Sequence, residues 1–403
     1  MENKRYMMLA IKNARLPSAD GIFNIHIEDG FVKRISRSDI TADYTIDAKG
    51  GLVTESFAVA HLHLDKVNTL QLLDDKTVTA YRDDPRDAIK MASKVKKYYN
   101  EDDIVKRVKP FLDQSIKFGV THIRAFLDVD TMAKLTAVKA MKKLKGEYEG
   151  RIELQLVAFP QEGLLDDPQL VDYLYSAVEN GADVVGGIPW LESTVEMQRK
   201  HITTVFEIAK RYNKDVAMLV DDAPDPSLRT LEMLAEETIK NRWKGRVQAC
   251  HARASALYPS DALEKTLKIC KEAMIGIAGN PHTGGEVHAP LKVFSEYGIT
   301  VALGQDDCQD AYYPYGRCKM TEVAFLASHI LRMMTHQEMM KLLQWITINP
   351  ASMMGVGYHA LKQGAAADLL LFREKSWYEV LIHQSDPMLV LHNGDTLYES
   401  LQA

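Results

Sequence analysis

The sequence predicts an α/β protein, a (β/α)8 TIM barrel with a small β module assembled from both chain ends. Three observations point to it. Past residue 50, short apolar β-rich runs alternate with amphipathic helical stretches, as βα units with a parallel sheet require. The candidate strands number eight, and both ends of the chain read instead as alternating strands with hairpin turns. The barrel is expected over residues 56–355 and the β module over 1–55 and 356–403.

The barrel strands are read, in order, from "LVTESFAVA" before His61, "THIRAFLDV", "RIELQLVAF", "ADVVGGI", "DVAMLVDD", "RVQACHA", "MIGIAG" and "TVALGQDD". Between them lie segments such as "EDDIVKRVKPFLDQSIKFG" and "TVEMQRKHITTVFEIAKRY", whose apolar residues recur every three or four positions and so form one helix face. At the N-terminus "MLAIKNARL", "IFNIHIEDGFVKRI" and "YTIDAKG" alternate, with "EDG" as a turn. Near the C-terminus "ADLLLF" and "PMLVLHNGDTLYE" repeat the pattern, with Asn393-Gly394 at the turn.

Composition narrows the function. The chain has 403 residues, 46% hydrophobic and 26% charged, which suits a globular enzyme with a large core. Its net charge is −6, and its lysine clusters "KVKKYY" and "MKKLKGE" read as solvated helix faces, so neither nucleic acid nor an anionic membrane is expected as a partner. Four cysteines without a C-x-x-C pair argue against a disulfide framework and a cysteine zinc knot. The N-terminal apolar run Met7–Ile11 is too short for a signal-peptide core and no stretch suits a membrane span, so a cytoplasmic location is expected.

In a barrel of this kind, chemistry sits where the strands end at the C-terminal mouth. The sequence places polar residues there. "HLHLDK" at 61–66 ends the first strand, and alternation along a strand turns His61 and His63 to one face with Leu62 to the other, so both imidazoles can grip one metal ion. The third strand runs into "FPQEG" with Gln161, the fifth ends in Asp221-Asp222, the sixth carries His251, and the eighth delivers Asp306-Asp307. Each has a plainer reading: Asp221 or Asp222 as a helix N-cap, Gln161 as a loop backbone partner, His251 as a core histidine. Together the five strand ends suit hydrolysis, in which a Zn or Fe ion held by imidazoles and a carboxylate activates water. Asp306 is placed for ligation and proton transfer, and His251 for orienting the attacking oxygen.

"HLHLDK", "LQLVAFPQEG", "ADVVGGIPW", "CHA", Asn280-Pro281, "GQDDCQDAYYPYG" and "INPASMMGV" together resemble the amidohydrolase superfamily, in its branch of bacterial cytosine deaminases and N-isopropylammelide hydrolases. The resemblance covers nearly the whole chain, and its terminal segments look like the family's β-sandwich. It implies one divalent metal ion on His61, His63 and Asp306, with His251 against the metal-bound water or substrate. It also implies that Gln161 bonds a small heterocyclic substrate, that Asp307 and Tyr312 belong to the substrate pocket, and that the chain is a homo-oligomer.

One departure stands out. Deaminases of this branch end the fifth strand with H-x-x-E, where this chain has "LVDD": Leu219 cannot ligate, and Asp222 is one methylene shorter than glutamate. Three readings follow. His251 joins His61, His63 and Asp306 as a fourth ligand, Asp221 or Asp222 swings in, or the metal is weak or absent and the barrel mouth only binds a metabolite. The expected activity is a metal-dependent C–N hydrolase, foremost a deaminase with Asp306, Asp222 and His251 as catalytic groups. An amidase or ring-opening cyclic-amide hydrolase is the alternative. The loop at 67–87 is expected to line the pocket, and Arg317 to pack under the helix that follows it.

Overall fold

A computed structural model of the chain describes residues 8–75, 85–283 and 285–400. Eight strands form the barrel sheet: β6 (Phe57–Leu62), β7 (Val120–Asp128), β8 (Glu153–Phe159), β9 (Val184–Gly187), β10 (Asp215–Val220), β11 (Val247–His251), β12 (Gly276–Gly279) and β13 (Val301–Leu303). They are hydrogen-bonded in sequence order, and every neighbouring pair runs parallel. A parallel bridge between Leu62 and Asp306 brings the first and last strands together, with His61 O accepting from Asp306 N at 2.9 Å and Asp306 O accepting from His63 N at 2.7 Å. Gly304 makes that approach possible. A Cβ there would lie 2.8 Å from His61 Cβ and 2.3 Å from Asn280 Oδ1, so any larger residue would push the two strands apart.

The N-terminal strands β1 (Met8–Leu16), β2 (Ala19–Glu28), β3 (Phe31–Ser36) and β4 (Tyr44–Asp47) form one four-stranded sheet, in the order β3-β2-β1-β4. A second sheet joins β5 (Val53–Glu55) to the C-terminal strands β14 (Leu369–Leu371), β15 (Leu389–His392) and β16 (Asp395–Glu399). One buried apolar cluster draws on both sheets, including Leu9, Ile11, Ile25 and Val53 from one end of the chain and Leu369, Leu371 and Leu389 from the other. The run "LVTESFAVA" therefore divides: Val53–Glu55 pairs with β14, and Phe57 begins the barrel.

Several predicted strands end earlier than their apolar runs suggest. Asp221, His251 and Asp306 have φ of 49°, 69° and 63°, a left-handed backbone that non-glycine residues adopt at a cost of about 1 kcal/mol each and that turns the chain out of the sheet. A buried cluster takes at least one residue from each of the eight barrel strands, small at Ala60, Ala217, Ala278 and Ala302 and large at Phe126 and Phe159. That interdigitation fills the barrel interior beneath the mouth. All four cysteines are buried and unpaired. Among the described residues no helix is long and apolar enough to cross a membrane.

Candidate active site

His61 and His63 stand at the end of β6, and Leu62 between them packs into the outer core, as alternation predicts. Their rings are 4.9 Å apart and nearly perpendicular, and Phe126 on β7 presses edge-on against His61 with ring centroids 4.2 Å apart. Asp306 faces them. Its Oδ1 lies 2.9 Å from His61 Nε2, 3.8 Å from His63 Nε2 and 3.7 Å from His251 Nε2, so three imidazoles surround one carboxylate oxygen. The other oxygen, Oδ2, accepts a hydrogen bond from Thr283 Oγ1 at 2.6 Å.

One ligating atom from each of His61, His63 and Asp306 lies within 4.8 Å of the other two. His251 stands beside this trio. Its Nε2 is buried without a hydrogen-bond partner, while its Nδ1 lies 3.3 Å from Asp222 Oδ1. Asp222 is also held by Arg253, whose Nη1 donates to the same oxygen at 3.2 Å. Such a set of N and O donors around one point fits a divalent ion, and an orphaned imidazole nitrogen in a dry setting fits one better than it fits an empty core.

The two aspartates at the fifth strand end separate. Asp221 turns away from the mouth and accepts four hydrogen bonds: from Thr230 N at 2.7 Å, Thr230 Oγ1 at 2.6 Å, Leu231 N at 3.0 Å and Tyr258 Oη at 2.8 Å. It thereby satisfies the first free N–H groups of the helix Thr230–Asn241, which is the capping role. Burial raises its carboxyl despite these bonds. Asp222 remains at the mouth, and Leu219 lies on the cavity wall, 4% exposed, where it offers no ligand.

The cavity is walled by Ile89, Ile188, Trp190, Leu219 and Tyr312, and its polar lining is His63, Gln161, Asp222, His251, Asp306 and Asp307. All the residues singled out from the strand ends except His61 and Asp221 reach this lining. Gln161 accepts from Lys66 Nζ through its Oε1 at 2.9 Å, which leaves its amide N–H2 for a ligand. Of the loop expected to line the pocket, residues 76–84 lie outside those described, and Ile89 just beyond it contributes. Arg317 does not reach the cavity. It pairs with Glu322 at 2.9 Å on the helix that follows, as expected of a packing residue.

Sequence reasoning missed the charges beneath the cavity. Lys66 donates to Asp128 at 2.7 Å and to His63 Nδ1 at 3.0 Å, which orients that ring and, while the contact lasts, leaves the ring's own proton on Nε2. Lys96 holds the other oxygen of Asp128 at 3.0 Å and also pairs with Asp130 and Glu162. Lys66 stands inside "HLHLDK" itself, but a lysine there reads as a solvated residue until a buried acid on another strand is seen to face it. Arg253 and Thr283 were hidden in the same way.

Burial would raise the Asp306 carboxyl, but the facing His251, His61 and His63 outweigh it and hold the group well below the usual carboxylate range. Burial lowers His61 and, with the Lys66 charge, drops His63 well below the ordinary imidazole value, which favours the neutral form of both rings. Asp307 moves the other way. Burial, then the charges of Asp310 and Asp306, push it well above the usual range, which favours its neutral form beside Asp306.

The amidohydrolase family model matches residues 84–390. N-isopropylammelide isopropyl amidohydrolase of Pseudomonas sp. (strain ADP) is 28% identical over 396 residues, 96% of each chain. Pterin deaminase of Rhizobium rhizogenes is 25% identical over 96% of this chain and 90% of its own. Among solved structures, 5-methylcytosine deaminase from Klebsiella pneumoniae liganded with 5-fluorocytosine superposes with a TM-score of 0.91 at 28% identity, covering 98% of both chains.

Proposed function

Because the chain belongs to the amidohydrolase family, an enzyme family whose relatives here cleave C–N bonds, we propose that its barrel mouth hydrolyses an amino substituent of a small nitrogen heterocycle, releasing ammonia. The observation that carries this reading is the convergence of three imidazoles on one Asp306 oxygen at the edge of a cavity with apolar walls. His61, His63 and Asp306 would hold one divalent ion, Zn2+ or Fe2+, with His251 beside them. Such an ion supplies a Lewis acid and brings the pKa of water toward ~7.

The chain's own residues do the rest. Tyr312 and Trp190 give a flat ring aromatic wall to lie against, and the Gln161 amide donates to a ring carbonyl or nitrogen. Asp307, whose neutral form burial favours, donates a second hydrogen bond. Asp306, ionised and steadied by Thr283, accepts a proton from the attacking water as its oxygen bonds to the ring carbon. His251, oriented by Asp222 through Nδ1, delivers a proton to the departing nitrogen as the C–N bond breaks. Ring –C(NH2)=N– and water thus become –C(=O)–NH– and ammonia: one water proton ends on the ammonia and the other on the ring nitrogen, and the proton taken up by Asp306 replaces the one His251 gave, so both groups return to their starting states.

The test is a metal assay on purified protein together with ammonia release over a panel of aminopyrimidines, aminotriazines and pterins. Release from one ring class supports the proposal. No ammonia from any ring amine, with hydrolysis of a cyclic amide instead, favours a second reading as an amidase or ring-opening hydrolase. Leu219 motivates that second reading, since an apolar wall stands where relatives of this branch carry a histidine, and Asp222 is occupied by Arg253. The double variant Leu219→His with Asp222→Glu separates the two: gained cytosine deamination would mean that these positions alone set the reaction.

A further inference from the structure

A second group of the same donor types lies at the opposite end of the barrel. His122 stands near the start of β7, Asp368 directly precedes β14, His392 ends β15, and His359 lies in the segment that leads from the barrel to β14. One ligating atom from each of His122, His359 and Asp368 lies within 4.8 Å of the other two, and all three residues are buried. The proposed reaction uses none of them.

His359 carries the argument. Its Nε2 lies 2.8 Å from the Ser56 carbonyl oxygen, so that nitrogen must bear the proton and donate. In the neutral ring Nδ1 is then a bare lone pair. It is buried without a hydrogen-bond partner, and it points at Asp368 Oδ2 from 3.5 Å. A lone pair facing a carboxylate oxygen in a dry setting is repulsive unless a positive charge lies between them. A metal-ligating histidine characteristically donates its other N–H to a backbone carbonyl, which is this arrangement.

The neighbours complete the pattern. The His122 ring meets that of His359 edge to face with centroids 5.0 Å apart, and its Nδ1 lies 2.8 Å from Thr121 Oγ1, leaving Nε2 for the cluster. Asp368 keeps its remaining oxygen on His392 Nδ1 at 2.8 Å. A surface groove lined by His122, Glu153, Asp368 and His392 gives a route to the cluster from solvent.

We propose that His122, His359 and Asp368 hold a Zn2+ ion, or a neighbouring first-row divalent ion, that fastens the barrel base to the sheet carrying β14 and β15. Two imidazoles and one carboxylate suit zinc. This site is independent of the reaction assigned to the mouth.

The full chain, stripped with chelator and dialysed against ZnCl2, is compared with His359→Gln, His122→Gln and Asp306→Asn for zinc per chain. The expected result is that each of the two base variants loses one zinc equivalent that Asp306→Asn retains. Should the wild type bind one zinc that His359→Gln loses and Asp306→Asn keeps, the base site stands and the mouth reading falls. An unchanged zinc count in both base variants overturns the proposal and leaves a proton between His359 and Asp368. If the variants do not fold, wild-type crystals soaked in zinc and measured at its absorption edge decide the matter. An anomalous peak about 2.0–2.2 Å from both His359 Nδ1 and Asp368 supports the site, and a peak at the mouth alone overturns it.

Discussion

The two ends of the barrel hold nearly the same side chains and do different things with them. At the mouth His61, His63, His251 and Asp306 gather at the edge of a cavity with apolar walls, and His251 and Asp306 reach it from left-handed backbone. At the base His122, His359, His392 and Asp368 tie together the barrel strand β7, the carbonyl of Ser56 and the sheet carrying β14 and β15. Donor identity alone therefore does not announce catalysis. What separates the ends is what surrounds the donors: apolar and aromatic walls at the mouth, and the junction between the barrel and the outer sheet at the base.

The largest expected effect tests that contrast directly. Asp306→Asn, which removes the charge the three imidazoles share, is expected to cut kcat/KM by at least about 10³-fold, roughly 4 kcal/mol of barrel-mouth chemistry. His359→Gln, a comparable loss at the base, is expected to leave kcat within about threefold once the protein is folded. Steady-state kinetics on the best ring amine measures both. Equal losses in the two variants would erase the distinction between a reacting end and a fastening end.

Next in size is a change beside the mouth that leaves its chemistry alone. Asp221→Ala strips four buried or terminal donors of their acceptor, including two N–H groups of the helix Thr230–Asn241. A loss of about 2–4 kcal/mol in unfolding free energy by denaturant titration is expected, with metal content unchanged. A loss of bound metal instead would mean that Asp221 reaches the ion.

Much of the architecture was legible because periodicity carries it. Eight alternating βα units read directly as a closed parallel sheet, and the i, i+2 spacing of His61 and His63 sufficed to put both on one face. Less was legible where one strand serves two sheets. In "LVTESFAVA" only the polar Thr54-Glu55-Ser56 interrupts the apolar run, and that interruption falls where one strand ends and the next begins. The choice between Asp221 and Asp222 was likewise open in the sequence, because either could cap the next helix. Backbone turned at Asp221 decides it, sending one carboxylate to the helix and the other to the mouth. Buried charges were hardest to see: Lys66, Lys96 and Asp128 lie 30 or more residues from one another and acquire meaning only when the strands assemble.

A smaller effect, confined to the base, follows from pH. Burial alone would lower His392, but Asp368 and Glu153 on either side raise it to about 9. A raised imidazole contributes stability that is complete below its unfolded value near ~6.5 and is lost as pH rises through the folded value. Asp368 is opposite in sign: burial opposes its ionisation, yet His359 and His392 hold it far below the usual range, so its contribution is present above ~4 and lost in acid. In chelator-treated protein, stability is expected to fall by about 2 kcal/mol between pH 6.5 and 9, and His392→Gln is expected to flatten that slope. Thermal melts across this range read it. A slope that survives the substitution would assign the alkaline loss elsewhere.

The smallest expected effect concerns the aromatic run "YYPYG" that borders the mouth. Arg317 follows it, and a cation beside a substrate pocket invites a functional reading. Its guanidinium instead pairs with Glu322 at 2.9 Å and lies over the Phe118 ring, with 43% of the side chain exposed. A surface pair of this kind is worth ~0.5 kcal/mol or less, because solvent screens the charges and two side chains must be ordered. Arg317→Ala is therefore expected to shift stability by no more than that and to leave KM and kcat unchanged for any substrate. A rise in KM for an anionic ring would draw Arg317 into recognition at the mouth, through a contact that the present arrangement does not make.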